Sequence, residues 1–154
     1  MTTIAWDGKS VAADSMMLAG NGQIRPGSAS KIARVGDTVY AITGALALFW
    51  PLIHWHSEGA KIGAKPGISE KDGASFFVFK KGKCFCYPAD SAYPDELFPP
   101  DAWGYGGDFA IGALMAGADA RKAVEIACLV NPHTGGSVEI VDLSFQRRGE
   151  ASAP

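Results

Sequence analysis

Charge is scarce in this chain, and neither sign dominates. Asp, Glu, Lys and Arg make up 19% of its 154 residues, and 14 basic against 16 acidic residues leave a formal net charge of -2. A nucleic-acid binder needs a basic stripe to meet the phosphate backbone, so the balance argues against that class. Cysteine is scarce as well. Cys84, Cys86 and Cys128 are the whole complement, and an odd count excludes a fully paired disulfide framework. Cys84 and Cys86 alternate along an apparent strand and so share one face. A metal centre would want more ligands at suitable spacing. The three thiols read as small buried hydrophobes of a reducing compartment, and the expected address is the cytoplasm. Long apolar runs are missing too. The longest, YAITGALALFWPLI, runs from Tyr40 to Ile53 and contains Thr43, Gly44 and Pro51, whereas crossing a bilayer takes roughly 20 apolar residues. Residues 1–15 carry acidic groups and lack the basic start and apolar run of a secretory signal. Neither a membrane nor a nucleic acid is an expected partner.

What remains is a glycine-rich, 47% hydrophobic chain, long enough to bury one sizeable core. A single domain over residues 1–145 and a polar tail over 146–154 are expected. Residues 2–6 and 10–14 read as a β-hairpin about Asp7-Gly8. That two-residue turn pairs Trp6 with Lys9 and Thr2 with Ala13, and leaves Asp14 near the start of the first strand. KIARV and TVYAIT form a second hairpin about Gly36-Asp37, which sets Lys31 opposite Ile42. Residues 45–58 have helical length and apolar residues on most sides; Pro51 implies a late start or a kink. Residues 59–73 read as loop, and ASFFVF-KKGK-CFCYP as a third hairpin about Gly82. Four prolines make 88–100 irregular. DFAIGALMAG and DARKAVEIACLV are helical patterns, the second with Asp119 as N-cap. SVEIVDLSF alternates as a strand. The order of elements gives an α+β layout, with sheets stacked face to face and helices outside.

The chemistry gathers at the first residues. A hydroxyl at a chain terminus becomes a nucleophile when a base sits beside it. With Met1 removed, Thr2 carries its own base, an α-amino group whose ordinary pKa is about 7.7–8.0, near working pH as a general base requires. A strand that starts at once would fix that terminus in a sheet. The two hairpins bring Asp14, Lys31 and Gly44 toward the same end. A lysine ammonium there would lower the pKa of the amine, Asp14 could hold the lysine, and a glycine N–H at a strand end could face an oxyanion. Other candidates carry less. His54 and His56 lie two apart on a helical pattern and face different sides. His133 is isolated in a turn. Trp50 and Trp55 read as helix packing, and Lys80, Lys81 and Lys83 as a solvated hairpin tip. GYGGDFAIG lacks the strand, spacing and acid of a nucleotide loop.

Taken together, TTIAWDGKSVAADS, KIARV and TVYAITGALA, followed by AWGYGGDFAIGALMAG and AVEIACLVNPHTGGSVEIVDL, resemble proteasome β-subunits and the bacterial HslV peptidase, members of the N-terminal nucleophile (Ntn) hydrolases. The resemblance spans residues 2–143, matches poorly over 59–100, and shortens one long helix there. It implies a four-layer αββα sandwich and a threonine-type endopeptidase with Thr2 as nucleophile, Asp14 and Lys31 in support, and Gly44 in the oxyanion hole. It implies polypeptide substrates, a homo-oligomeric ring, an AAA+ unfoldase partner and no required cofactor, with a structural sodium ion on backbone carbonyls of Cys128, Asn131 and Thr134. Three positions depart from the pattern: Tyr105 stands where the family has serine, and Asn131 and Thr134 stand where proteasome β-subunits have aspartate and serine. A catalytically impaired ring subunit or scaffold, or a small-molecule amidase on the same fold, are the alternatives.

Overall fold

The structure is a computed structural model that describes residues 1–69, 71 and 73–144. The expected tail over 146–154 lies outside the described residues. In chain order the elements are β1 (Thr3–Trp6), β2 (Ser10–Ala13), β3 (Ile32–Val35), β4 (Thr38–Gly44), a 3-10 turn (Leu46–Leu48), α1 (Phe49–Ser57), β5 (Ala74–Lys80), β6 (Lys83–Tyr87), β7 (Asp95–Leu97), β8 (Asp101–Gly104), α2 (Gly107–Met115), α3 (Ala120–Val130) and β9 (Glu139–Asp142). They form two antiparallel sheets, ordered β8-β1-β2-β9 and β3-β4-β5-β6-β7.

Strand alternation explains the layers. On β1, Ile4 and Trp6 point one way and Ala5 the other; on β5, Phe77 and Phe79 oppose Phe76 and Val78. Ile4, Trp6 and Val11 meet Val39, Ala41, Phe77 and Phe79 in the core between the sheets. Trp103 stacks on Phe77 there, with centroids 4.4 Å apart. Ala5 and Ala12 face outward onto Ala110, Ala120, Ala123, Val124 and Ala127 of α2 and α3. The small side chains let both helices lie close to the first sheet. Tyr40, Ile42, Phe76 and Val78 face the opposite side, onto Phe49, Leu52, Ile53 and Trp55 of α1. Every strand of the two central pairs is buried on both faces. The order of layers is therefore α2/α3, sheet, sheet, α1, the four-layer αββα sandwich that the sequence suggests.

Three details differ from the sequence expectation, and one open choice is resolved. The β1–β2 pairing is Trp6 with Val11 and Ile4 with Ala13, a register two residues longer than a two-residue turn would give. The cause is Asp7. Its carboxylate accepts the N–H groups of Lys9 and Ser10, and its own N–H donates to Ser10 O, closing a wider turn. Asp7 also accepts Ala120 N–H at the start of α3. Burial raises its carboxyl pKa, but these bonds outweigh burial and hold it below the ordinary value. Of the late start or kink that Pro51 implies, the structure has the late start: a 3-10 turn precedes α1, so Pro51 falls in its first turn, where no N–H bond is lost. Trp50 on that helix is 64% exposed, so it is not packing as expected, while Trp55 is buried. Finally, the region expected to be irregular contains β7, and β8 follows at Asp101. Both are short edge strands, and β7 carries Asp95 and Glu96, a composition that suits an edge and hides the strand pattern. The second hairpin (Ile32 with Ala41) follows the expected register, and the third turns about Gly82 as expected, with Lys80 opposite Lys83. Asp119 caps α3 by accepting Lys122 N–H at 2.8 Å.

Candidate functional site

Two hairpins with their turns at one end of the sandwich leave their open ends together at the other. Thr2 precedes β1 and Asp14 follows β2; Lys31 precedes β3 and Gly44 ends β4. The register of β1–β2 sets Asp14 opposite Thr3, whose O accepts Asp14 N–H at 3.2 Å. Asp14 is fully buried and its carboxylate is saturated. Oδ1 accepts Thr3 N–H at 2.9 Å and Lys31 Nζ at 2.9 Å, and Oδ2 accepts Gly135 N–H at 3.2 Å. Lys31, 2% exposed, spends its remaining reach on Met1 O, also at 2.9 Å. Peptide geometry then puts the nitrogen of Thr2 within about 5 Å of Lys31 Nζ.

Thr2 is itself buried, at 4% exposure, yet it lies on the wall of a cavity of about 730 Å³. Thr43, Gly44, Ala45, Gly73 and Gly104 line it with small groups, and Lys71 and Tyr105 add the larger ones. The structure thus brings Thr2 and Gly44 to one cavity, with the Asp14–Lys31 pair directly behind Thr2. The amine at Met1 is held below its ordinary pKa by burial, reinforced by the Lys31 ammonium and opposed by Asp14.

Glycines make two of these approaches possible. Gly44 has φ +95°, and a Cβ on it would fall 2.6 Å from Gly73 O. Gly104 has φ +92°, and a Cβ there would fall 1.8 Å from Thr2 O; the next residue, Tyr105, donates its N–H to that same oxygen at 2.9 Å. Neither tolerates a side chain. Sequence reasoning did not single out Gly104, Gly135, Thr3 or Lys71. Thr3 supports the site from below: its hydroxyl accepts Gly106 N–H at 2.9 Å and shares a 2.7 Å bond with Thr134 Oγ1. The signal available for these was their adjacency to Thr2 and to the glycine-rich motifs.

The remaining predicted positions fall at the C-terminal end of α3. Asn131 caps that helix, accepting His133 N–H at 2.8 Å and donating from Nδ2 to Tyr105 O at 2.9 Å. Its main-chain O accepts Thr134 N–H at 3.2 Å. Cys128 lies one turn earlier, half-buried, and burial raises its thiol pKa. Among the described residues no group of three His, Cys, Asp or Glu side chains could hold a metal, and no helix is long and apolar enough to cross a membrane.

The class that the fold defines is the four-layer αββα sandwich. Within it the chain is similar to HslV: eukaryotic HslV from Trypanosoma brucei matches at 21% identity and TM-score 0.67, over 92% of this chain and 99% of that one. BPH from Thiobacillus denitrificans matches at 22% identity and TM-score 0.63, over 94% and 99%. The same BPH in complex with epoxomicin matches at 21% identity and TM-score 0.65, over 94% and 99%. At these identities the likeness establishes the fold. No protein-family model and no curated protein matches the sequence.

Proposed function

We propose that the protein is a threonine-type endopeptidase that cleaves polypeptides with Thr2 as its N-terminal nucleophile, exposed by removal of Met1. The observation that carries this reading is the buried Asp14–Lys31 pair set behind Thr2 at the wall of an open cavity. Thr2 Oγ attacks the carbonyl carbon of the scissile bond, and its proton passes to the Thr2 amine. Lys31, close and positive, disfavours protonation of that amine and keeps it a base near neutral pH. The same influences already depress the amine one residue earlier, at Met1. Asp14 fixes Lys31 in place. The Gly44 N–H meets the oxyanion of the tetrahedral intermediate. Collapse expels the leaving amine, which takes the proton from the Thr2 ammonium. Water then attacks the ester, the Thr2 amine accepting its proton, and Thr2 Oγ leaves protonated.

Substituting Thr2→Ala and comparing hydrolysis of fluorogenic peptides tests the reading: a loss of at least about 10³-fold is expected for a nucleophile, and equal rates would refute it. Intact mass adds a second test, since a retained Met1 acylates the amine and silences this chemistry. A catalytically impaired ring subunit is the second reading. Tyr105 favours it, because this residue borders Thr2 without the serine hydroxyl of the family. Retained Met1 together with unchanged oligomeric mass would support that reading over the first.

A homo-oligomeric ring, an AAA+ unfoldase partner and a cytoplasmic address belong to the same proposal; the fold similarity to HslV supports the ring. Native mass decides the ring. A sodium ion on the carbonyls of Cys128, Asn131 and Thr134 would sit at the negative end of α3, sharing Asn131 O with Thr134 N–H. Exchanging sodium for choline at constant ionic strength would then lower the melting midpoint, and an unchanged midpoint dismisses the ion.

A further inference from the structure

Lys65 is a buried cation that the proposed chemistry does not use. It is 7% exposed, and its Nζ donates to three main-chain oxygens, those of Pro88, Ala89 at 3.5 Å and Ser91 at 2.7 Å. An ammonium has three protons and no acceptor, so this set of carbonyls saturates it. No carboxylate of the described residues forms an ion pair with it. Burial lowers its pKa, and Asp90 in the same clamped stretch opposes that.

The clamp leads to the cavity through backbone contacts. The segment carrying Lys65 runs beside residues 88–91, and Ser69 N–H donates to Ala89 O at 3.4 Å. Gly67 lies against the 3-10 turn after Gly44, since a Cβ on it would stand 2.4 Å from Leu48 Cδ1. Gly73 sits in the crevice between the clamped stretches: a Cβ there would stand 2.2 Å from Ser69 O and 2.7 Å from Ala89 Cβ. The carbonyl of Gly73 then accepts Ala45 N–H at 3.3 Å and abuts Gly44. Two close contacts, at Gly67 and Gly73, thus press one segment onto Gly44–Leu48. No described residue of 58–69, 71 or 73 is helical, so the stiffness must come from tethers, of which Lys65 is the most buried.

We propose that Lys65 is a positioning residue: by gripping the carbonyls of Pro88, Ala89 and Ser91 it holds Gly67, Ser69 and Gly73 against Gly44–Leu48 and residue 89, and so fixes the Gly44 amide across the cavity from Thr2. The catalytic half of this inference rests on the peptidase reading; the positional half does not.

The test is Lys65→Met, which keeps the apolar stem and removes the donors, beside Lys65→Arg, which restores charge and donors. Native-state hydrogen exchange reads the position. Lys65→Met is expected to lower protection of the Ala45 and Ser69 amides by about tenfold or more, the scale of losing hydrogen bonds from a charged group. The Asp14 and Ile42 amides, bonded to Thr3 O and Lys31 O, should keep their protection within about threefold. Lys65→Arg should recover most of the loss. Unchanged protection at Ala45 and Ser69 in the Met variant overturns the proposal, and so does a uniform loss at all four amides, which would mark Lys65 as a general stabiliser. If the Met variant does not fold, Lys65→Gln replaces it under the same criteria. In peptide hydrolysis, kcat should fall about tenfold with KM unchanged, because a displaced oxyanion donor is felt in the transition state; a raised KM at constant kcat overturns the link to Gly44. If the wild-type chain cleaves no peptide, the peptidase reading fails, and the exchange measurement still decides where Lys65 acts.

Discussion

Breaking the pair behind Thr2 offers a quantitative check on how dry the site is. Asp14→Asn keeps the shape of the side chain and removes its charge. Three donors now converge on a carboxylate with no solvent exposure. An amide can present an oxygen to Thr3 N–H and Lys31, but its NH₂ then faces the Gly135 N–H, donor against donor. Lys31 is left as a buried cation without a counter-charge. Removing one partner of a buried pair costs about 3–5 kcal/mol; the lost hydrogen bonds are part of that figure and are not added to it. Taking about 4 kcal/mol, and an unfolding entropy of about 2.1 cal/mol/K per residue over 154 residues, the midpoint should fall by about 12 °C. Lys31→Met should cost a similar amount by stranding Asp14. The double variant carries neither charge, so the cycle should return a coupling energy of about 2–3 kcal/mol. Urea unfolding followed by tryptophan fluorescence, at fixed protomer concentration because assembly would add its own stability, measures all four proteins. A coupling below about 0.5 kcal/mol, the level of an exposed pair, would mean that water reaches Lys31, and the proposed tuning of the amine would lose its basis.

Two further outcomes follow from local geometry. Gly44→Ala forces a side chain into a left-handed conformation and against Gly73 O; the expected loss is about 2 kcal/mol or more of stability with a fall in kcat, and wild-type values for both would show that the strand end can re-form without glycine. His56 lies against the rings of Tyr40, Phe76 and Tyr87 and shares a 3.1 Å bond with the Tyr40 hydroxyl. Burial, with a smaller effect from Lys80, lowers its pKa below the ordinary 6.5. The folded chain therefore binds the proton less readily than the unfolded one. The His56 contribution is intact above pH about 6.5 and is lost as pH falls through that value toward the folded pKa. His56→Gln should flatten the difference in stability between pH 7.5 and 5.5, and an unchanged slope would place the titration elsewhere.

Much of the fold was legible because hairpin turns are local. Gly36-Asp37 and Lys81-Gly82 fix their registers within a few residues, and the near-continuous apolar runs of TVYAIT and SFFVF mark two-sided burial. The Asp7-Gly8 and Gly36-Asp37 hairpins each gather one pair of site residues, Thr2 with Asp14 and Lys31 with Gly44, and the stacking of the two sheets brings the pairs together. Asp14 was placed only near Thr2, because Asp7 captures Lys9 and Ser10 by its side chain and moves the register by two. Nothing in a turn dipeptide announces that competition. β7 and β8 were missed for a different reason: DEL and DAWG are short, polar and bordered by proline, and each becomes a strand only because a longer neighbour supplies the ladder. Trp50 was misplaced because the helix starts directly after a three-residue 3-10 turn, which rotates its apolar face. Lys65 was invisible, since its partners are carbonyls more than twenty residues away and carbonyls leave no mark on residue identity.

The departures at Tyr105 and Asn131 are in contact, and that changes their meaning. Asn131 Nδ2 donates to Tyr105 O while its Oδ1 accepts His133 N–H, and the His133 ring meets the Tyr105 ring edge-on at 5.4 Å. An aspartate at 131 could serve His133 but would set an acceptor against the Tyr105 carbonyl. The asparagine therefore goes with this placement of the 105 backbone, and these two differences from the family pattern are one coupled rearrangement. What that backbone does for Thr2 is indifferent to the side chain: Tyr105 N–H still binds Thr2 O, and Gly104 still allows the approach. The hydroxyl at 134 is already committed to Thr3. Thr2 is thus held as firmly as a nucleophile requires, while no serine hydroxyl from position 105 borders its nitrogen. If Thr2 is a nucleophile, control of its proton falls on Lys31 and Asp14, so the coupling energy of that pair and the activity of the protein should rise and fall together.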